Sequence, residues 1–238
     1  MDGRFKTTHW SLVRAGGDSA DPVQRHEALA TLCRIYWPPV YDYIRCRGND
    51  AESARDLTQG FFAQLLDKEY VKKADRERGK FRSFLLTCVK GYVADERDRV
   101  QARKRGGGLT ILPLEFETAE SSFLYEPADP RTPETIFDKR WAVAVVKQAV
   151  SRLEQEMERS GKQGQLKRLR PWLTGKGPAS RYETLAADLG MSEQALRVTI
   201  HRLRRRLGHL LREEVASTLS DRAQLDAEMH SLFEALGS

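Results

Sequence analysis

Apolar residues recur three or four positions apart through most of the chain, which is the spacing of amphipathic α-helices. Alternation with a period of two, which would indicate half-buried strands, is nearly absent. The segments with helical spacing are residues 8–13, 25–46, 51–67, 81–104 and 135–157, followed by further helical stretches up to residue 236. The sequence therefore predicts an all-α fold.

Two adjacent prolines interrupt the second of these segments. Pro38 and Pro39 remove two backbone donors, and the proline ring clashes with a carbonyl of the preceding turn of a helix. We therefore expect this helix to kink or split just before Val40.

Glycine and proline clusters divide the helical pattern into four parts. Residues 1–106 are predicted to form a first helical domain. Residues 107–138 are predicted to be an acidic, proline-containing linker, because the acidic residues from Glu115 onward are opposed only by Arg131. Residues 139–211 are predicted to form a second helical domain. Residues 212–238 form a C-terminal helical extension, whose apolar face we expect to cover a core rather than to bind a partner.

The charge balance bears on the kind of partner. Among 238 residues, Lys and Arg total 40 against 34 Asp and Glu, so that the formal net charge is +6. An excess of positive charge suits a polyanionic partner such as a nucleic acid, although an excess this small does not establish one. The placement of the basic residues therefore matters more than their number.

Cysteine and histidine usage argues against a metal site. The three cysteines form no CxxC pair, and the five histidines lie nowhere at ligand spacing. Neither a disulfide framework nor a metal or other cofactor is indicated. No stretch approaches the roughly 20 apolar residues that a membrane-spanning helix needs, so we expect a cytoplasmic protein without membrane insertion.

Residues 182–207 have the pattern of a helix-turn-helix. Leu185 and Leu189 put apolar bulk on one face of the first helix, and small Ala186 permits the close approach of a second helix. Gly190 can take the left-handed backbone conformation that ends this helix, and Ser192 can cap the next one. The predicted buried stripe of the second helix consists of Leu196, Ile200, Leu203 and Leu207.

The opposite face of that second helix is polar and basic. Amide and guanidinium groups there are suited to base edges and phosphates in a major groove. An ordinary helical hairpin with a solvated basic face is the alternative, and the combination of turn, cap and clustered arginines favours DNA binding. The residues expected to contact DNA are Ser192, Glu193, Gln194, Arg197, His201, Arg202 and Arg205.

A second motif lies in residues 47–66. It resembles the polymerase-binding helix of extracytoplasmic-function sigma factors, in which an Asp-Leu-x-Gln-x-x-Phe pattern follows a Gly-Asp-like turn. Asp56, Leu57, Gln59 and Phe62 stand at those positions. The resemblance implies that these four residues bind core RNA polymerase.

Residues 78–99 resemble the promoter-melting helix of the same family together with the loop before it. Basic residues lie near the aromatic residues Tyr70, Phe81 and Phe84, a mixture suited to contacting phosphates and holding unstacked bases. A solvated loop beside core aromatics is the alternative on the residues alone, and the order of the motifs favours the DNA-binding interpretation. The residues implied in DNA binding here are Lys73, Arg76, Arg78, Lys80 and Arg82.

With the helix-turn-helix, the chain resembles the sigma-70 family of RNA polymerase sigma factors, extracytoplasmic-function type, over residues 29–105 and 141–211. The resemblance implies a sigma region 2-like bundle that binds core polymerase and the minus-10 promoter element. It also implies a sigma region 4-like helix-turn-helix domain that binds the minus-35 element. The chain departs from the family at Lys90 and Gly91, where Arg-Asn is frequent, and at Phe84, where tryptophan is usual.

Other interpretations stay open at this point. The main alternative is a helix-turn-helix regulator that does not recruit polymerase, and the pattern from Asp56 to Phe62 argues against it. A sigma-like adaptor that has lost initiation is another. An enzyme is not expected, because no cluster of carboxylates, histidines or a nucleophile with its base stands at working spacing. An anti-sigma factor, a regulatory kinase and the C-terminal tail are candidate regulators that the sequence does not distinguish.

Overall fold

The computed structural model describes residues 22–65, 80–102, 132–173, 182–219 and 221–237. Within these ranges the fold is all-helical, as predicted, and strand-like pairing is confined to an isolated bridge between Lys80 and Leu219. The predicted helix over residues 8–13 and the candidate residues Lys73, Arg76 and Arg78 lie outside the described ranges. The helices are α1 (Pro22–Cys46), α2 (Ala51–Leu65), α3 (Phe81–Ala102), α4 (Pro133–Arg159), α5 (Gln163–Leu173), α6 (Tyr182–Asp188), α7 (Glu193–Ser217), a 3₁₀ turn (Arg222–Gln224) and α8 (Leu225–Gly237).

The chain divides into two compact units whose bounds differ from those expected. The first unit combines Met1–Ala144 with Val215–Ser238, and the second is Val145–Glu214. The C-terminal residues belong to the first unit because they bond to the start of α3, where the Phe81 N–H donates to the Thr218 carbonyl oxygen at 3.1 Å.

Buried aromatic residues form the core of the first unit. Trp37 of α1 stacks on Phe62 of α2, with ring centroids 5.7 Å apart, and Tyr36 packs against Phe81 of α3 at 5.1 Å. Each of these four residues is at least 98% buried. Burial of a large apolar side chain contributes roughly 1.5–3 kcal/mol, so this cluster holds α1, α2 and α3 together.

Helix α1 continues through Pro38 and Pro39, so of the kink or split expected before Val40, the split does not occur. A proline inside a helix costs about 3 kcal/mol through the lost hydrogen bond and the ring clash. Buried aromatic residues flank the two prolines on both sides, Trp37 before them and Tyr41 after them. We infer that their packing offsets this cost.

The turn from α1 to α2 is built by three consecutive polar or small residues. Gly48 has a φ of +90°, a conformation that favours glycine. The Asn49 side-chain amide donates to the Ile44 carbonyl oxygen at 2.8 Å. Asp50 caps α2 by accepting the Ser53 N–H at 2.7 Å, and hydrogen bonds from Ser53 lower the pKa of Asp50. These local bonds fix the start of the helix that carries Asp56.

Helix α4 begins at Pro133, inside the segment predicted to be a linker up to residue 138. Thr132 caps it, since its hydroxyl accepts the Thr135 N–H at 3.2 Å, and Pro133 takes the first helical position, where its missing N–H costs nothing. The two acidic residues described at the start of α4 form ion pairs and remain partly exposed. Glu134 bonds to Lys90 at 2.8 Å, and Asp138 pairs with Arg82.

Ion pairs are buried inside the first unit. Asp42 of α1 is fully buried and Arg140 of α4 is 5% exposed, and the Arg140 Nε donates to Asp42. Glu228 of α8 is also fully buried, and it pairs with Lys80 at 2.6 Å and with Arg82 at 2.5 Å. Helix α8 therefore covers the first unit through charged as well as apolar contacts.

The second unit has a separate apolar core. It draws on the carboxyl-terminal part of α4, on α5, and on one apolar face each of α6 and α7. The turn between α4 and α5 passes through Gly161, which has a φ of +69°. The core residues are Ala149, Leu153, Leu166, Leu169, Trp172, Leu185, Ala186, Leu196, Ile200, Leu203 and Leu210.

Candidate nucleic-acid interface

The turn between α6 and α7 has the geometry that the sequence predicts. Gly190 has a φ of +64°. The Met191 N–H donates to the Ala186 carbonyl oxygen and the Gly190 N–H to that of Ala187, both at 3.0 Å. This pair of hydrogen bonds is the pattern that ends a helix in a Schellman motif. Helix α6 therefore ends at this turn and α7 begins within a few residues of it, as in a helix-turn-helix.

Ser192 caps α7. Its hydroxyl oxygen accepts the Ala195 N–H at 3.2 Å, and its carbonyl oxygen accepts the Leu196 N–H at 2.9 Å. Leu196, Ile200 and Leu203 are buried and Leu207 is partly buried, which confirms the predicted register of the helix. The opposite face of α7 is therefore the exposed one.

Loss of this cap should be measurable. Replacing Ser192 with alanine is expected to lower the free energy of unfolding by about 1 kcal/mol, because the Ala195 N–H loses its acceptor. Ser192→Asp keeps an acceptor at the cap and is the matched control, expected to unfold at nearly the wild-type urea concentration. Urea titration followed by circular dichroism measures both variants, and equal midpoints for the two would contradict the capping role.

The residues predicted to contact DNA from α7 are all exposed, but they fall into two groups. Glu193 and Arg197 pair with each other at 2.5 Å, and the Arg197 guanidinium lies 4.5 Å from the centre of the Tyr182 ring. These two side chains form an exposed ion pair beside the outer face. The second group lies on the outer face itself and consists of Gln194, His201, Arg202 and Arg205.

The arginine run from 202 to 206 is divided between the interface and the fold. Arg204 donates twice to the Trp172 carbonyl oxygen, at 3.0 and 2.6 Å. Arg206 pairs with Glu156 at 2.5 Å and lowers the pKa of that carboxyl group. Arg202 and Arg205, by contrast, project from the exposed face. Alternate arginines thus stabilise the second unit or remain available to a partner.

Basic residues of α5 lie next to the helix-turn-helix. Arg168 donates to the Asp188 carbonyl oxygen at 2.9 Å, so it bonds the carboxyl end of α6. Arg170 lies 3.6 Å from Glu154. Lys167 is exposed. Of the three, Arg168 has a clear role in positioning α6 for the turn.

Two residues of the first unit expected to bind DNA are engaged in the fold instead. The Arg82 side chain is 12% exposed and pairs with Asp138 and Glu228, and its guanidinium lies 4.8 Å from the centre of the Trp141 ring. Lys80 pairs with the same buried Glu228. Carboxylates far along the chain thus occupy the donors of Arg82, and its contact with DNA stays a prediction.

The residues of α2 that the sequence predicts to bind polymerase likewise differ in exposure. Asp56 is exposed, and Leu57 and Gln59 are half-buried. Phe62 is only 1% exposed, since it stacks on Trp37. Phe62 is therefore a core residue of the first unit, and its contact with polymerase stays a prediction.

Gly60 supports this arrangement from within the same helix. A Cβ at this position would come within 2.3 Å of the Tyr92 hydroxyl oxygen. Tyr92 is buried and packs edge-on against Phe61 at 5.7 Å. Glycine thus permits the close approach of α3 to α2.

The outer face of α7 contains one residue that the sequence interpretation missed. Val198 is exposed between Gln194 and Arg202. Its position opposite the predicted stripe of Leu196, Ile200 and Leu203 follows from helical spacing alone, so the signal was present in the sequence. Valine differs from its neighbours on this face in having neither a charge nor a polar group.

Two further kinds of feature, metal sites and membrane spans, can be compared with the sequence predictions over the described residues. Within the described ranges, no group of three or more His, Cys, Asp or Glu side chains is placed to hold a metal ion. The described helices include none with the length and apolar character needed to cross a membrane. Comparison with protein-family models, with curated proteins and with solved structures finds no match in any of the three.

Proposed function

We propose that this protein is a bacterial sigma-type initiation factor that directs core RNA polymerase to specific promoters. The observation that carries the proposal is the α6–α7 pair, in which a Schellman turn and a serine cap present a polar, basic helix face. Guanidinium and amide groups on such a face match guanine and adenine edges in a major groove. Arg202, Arg205 and Gln194 supply those groups.

The proposal assigns different tasks to the two units. The second unit, as a region 4-like domain, reads the minus-35 element through the outer face of α7. The first unit, as a region 2-like bundle, binds core polymerase and the minus-10 element. Its exposed contact on α2 is Asp56, with the half-buried Leu57 and Gln59 beside it. Promoter DNA and core polymerase are then the partners, and the site of action is the cytoplasm.

Transcription in vitro tests this function. Bacterial core polymerase is incubated with a library of genomic fragments, with and without the full chain, and the transcript starts are sequenced. We expect new starts that share two spaced motifs upstream. The absence of new starts, together with the absence of a complex between the chain and core polymerase, would overturn the proposal.

A paired variant links that activity to α7. Changing Arg202 and Arg205 together to alanine is expected to lower transcription from the new starts at least about 30-fold, since each base contact contributes at least about 1 kcal/mol. The control changes two exposed arginines outside α7, Arg159 and Arg222, and removes the same charge. Equal losses in the two double variants would mean that net charge, rather than the α7 face, drives binding.

A second candidate is a helix-turn-helix regulator that binds DNA without recruiting polymerase. The burial of Phe62 and the pairing of Arg82 favour it, because both residues stand at positions that the sigma resemblance assigns to partners. The two candidates differ in one measurement. A regulator binds its DNA site alone and forms no complex with core polymerase, whereas a sigma factor forms that complex.

A further inference from the structure

An apolar side chain lies at the centre of the outer face of α7. Val198 is 43% exposed, and among the residues that the structure describes only Val23 and Phe233 are other large apolar side chains with such exposure. With 3.6 residues per turn, four polar residues within about two helical turns of Val198 lie within about 60° of it around the helix axis. They are Gln194, His201, Arg202 and Arg205.

The position of Val198, rather than its exposure alone, carries the argument. Single exposed apolar residues are common on protein surfaces. Val198, however, lies diametrically opposite the buried Leu196, Ile200 and Leu203, so it takes no part in the core of the second unit. A β-branched residue in a helix also lowers helix propensity slightly, and here burial does not offset that loss.

The chemistry of the major groove indicates what such a residue can contact. The base edges there present hydrogen-bond donors and acceptors together with one apolar group, the C5-methyl of thymine. Side chains able to bond adenine and guanine already surround Val198, namely the Gln194 amide and the Arg202 guanidinium. The two methyl groups of Val198 can make the apolar contact with a thymine C5-methyl group that the amide and guanidinium groups do not make.

We propose that Val198 reads a thymine, by packing its methyl groups against the C5-methyl group of one A·T pair of the DNA site. This rests on the proposed function, since it requires α7 to enter a major groove. It predicts one base of the DNA site, a thymine at the position that faces the middle of α7. The base pairs on either side of this thymine are those that the amide and arginine side chains contact.

The test begins by finding a DNA site. The full chain, alone and bound to bacterial core polymerase, is used to select from a library of duplexes with random sequence. Each thymidine of the enriched site is then replaced in turn by deoxyuridine, which removes the C5-methyl and leaves the base-pairing and hydrogen-bonding groups unchanged. Affinity is measured for every substituted duplex.

The expected result is a loss of about fourfold at one A·T pair, the factor that corresponds to burial of one methylene-sized group. With Val198→Ala the same substitution should have no effect, because the protein methyl groups are gone. Val198→Thr keeps one methyl group and should keep a reduced sensitivity. Phe233→Ala, which removes an exposed apolar side chain from α8, should behave as wild type.

Each outcome bears on a different claim. If the wild type tolerates deoxyuridine at every position, or if Val198→Ala keeps the full sensitivity, the thymine contact is wrong while DNA binding stands. An enriched site without thymine in the segment protected by α7 also overturns it. If no duplex is enriched in either selection, the proposed function fails, and the role of Val198 fails with it.

Discussion

Replacing Glu228 with glutamine is expected to lower the free energy of unfolding by about 3 kcal/mol. Glu228 is fully buried and accepts bonds from both Lys80 and Arg82. Removing one partner of a buried ion pair typically costs about 3–5 kcal/mol, because the charge left behind has lost its compensation. We expect the lower end of that range because Asp138 still pairs with Arg82.

The control is a glutamate on the same helix. Glu234 is exposed and bonds only to the exposed His230 among the contacts described for it, so Glu234→Gln should change the unfolding free energy by less than about 1 kcal/mol. Urea denaturation of both variants gives the comparison. If the Glu228 and Glu234 variants unfold at the same urea concentration, α8 does not contribute to the first unit through this pair.

Removing the carboxylate of Asp42 should have an effect at least as large. Asp42→Leu leaves the guanidinium of Arg140 buried beside an apolar side chain, and we expect a loss of about 3–5 kcal/mol in unfolding free energy. A companion variant, Arg140→Met, leaves the Asp42 carboxylate buried without its partner, and its unfolding free energy should fall by a similar amount. Thermal and urea unfolding measure both single variants.

The double variant Asp42→Leu/Arg140→Met distinguishes two contributions to the unfolding free energy. One is the cost of leaving a single charge buried without its partner, and the other is the net contribution of the ion pair. Replacing a buried ion pair with apolar residues of similar volume is often neutral or stabilising. The double variant is therefore expected to be more stable than either single variant. Additive losses would show that packing around these side chains, rather than the lost compensation of charge, determines the result.

The sequence predicted those features that depend on neighbouring residues. Helical spacing located α2, α3 and α7, and glycine and serine at positions 190 and 192 predicted the turn and cap. Each of these signals lies within one or two helical turns of the structure that it determines. The helix-turn-helix, a local motif, was therefore predicted closely.

Features that depend on distant residues were missed. The pairing of Arg82 requires Glu228, which stands 146 positions away, and the burial of Phe62 requires Trp37 from another helix. Helical periodicity shows that one face of α2 is apolar without showing which residue stacks on which ring. The continuity of α1 through Pro38 and Pro39 likewise depends on tertiary packing that overrides a local rule.

The bonding of residues near the carboxyl terminus to the start of α3 has a consequence for synthesis. About 140 residues separate Phe81 from Thr218, the acceptor of its N–H, and at about 5–20 residues per second a ribosome needs roughly 7–30 s to add them. During that interval Lys80 and Arg82 cannot pair with Glu228, because that residue has not yet been synthesised, and the nascent first unit is incomplete. Messages truncated before codon 218 would therefore yield chains that expose this surface permanently to chaperones and proteases.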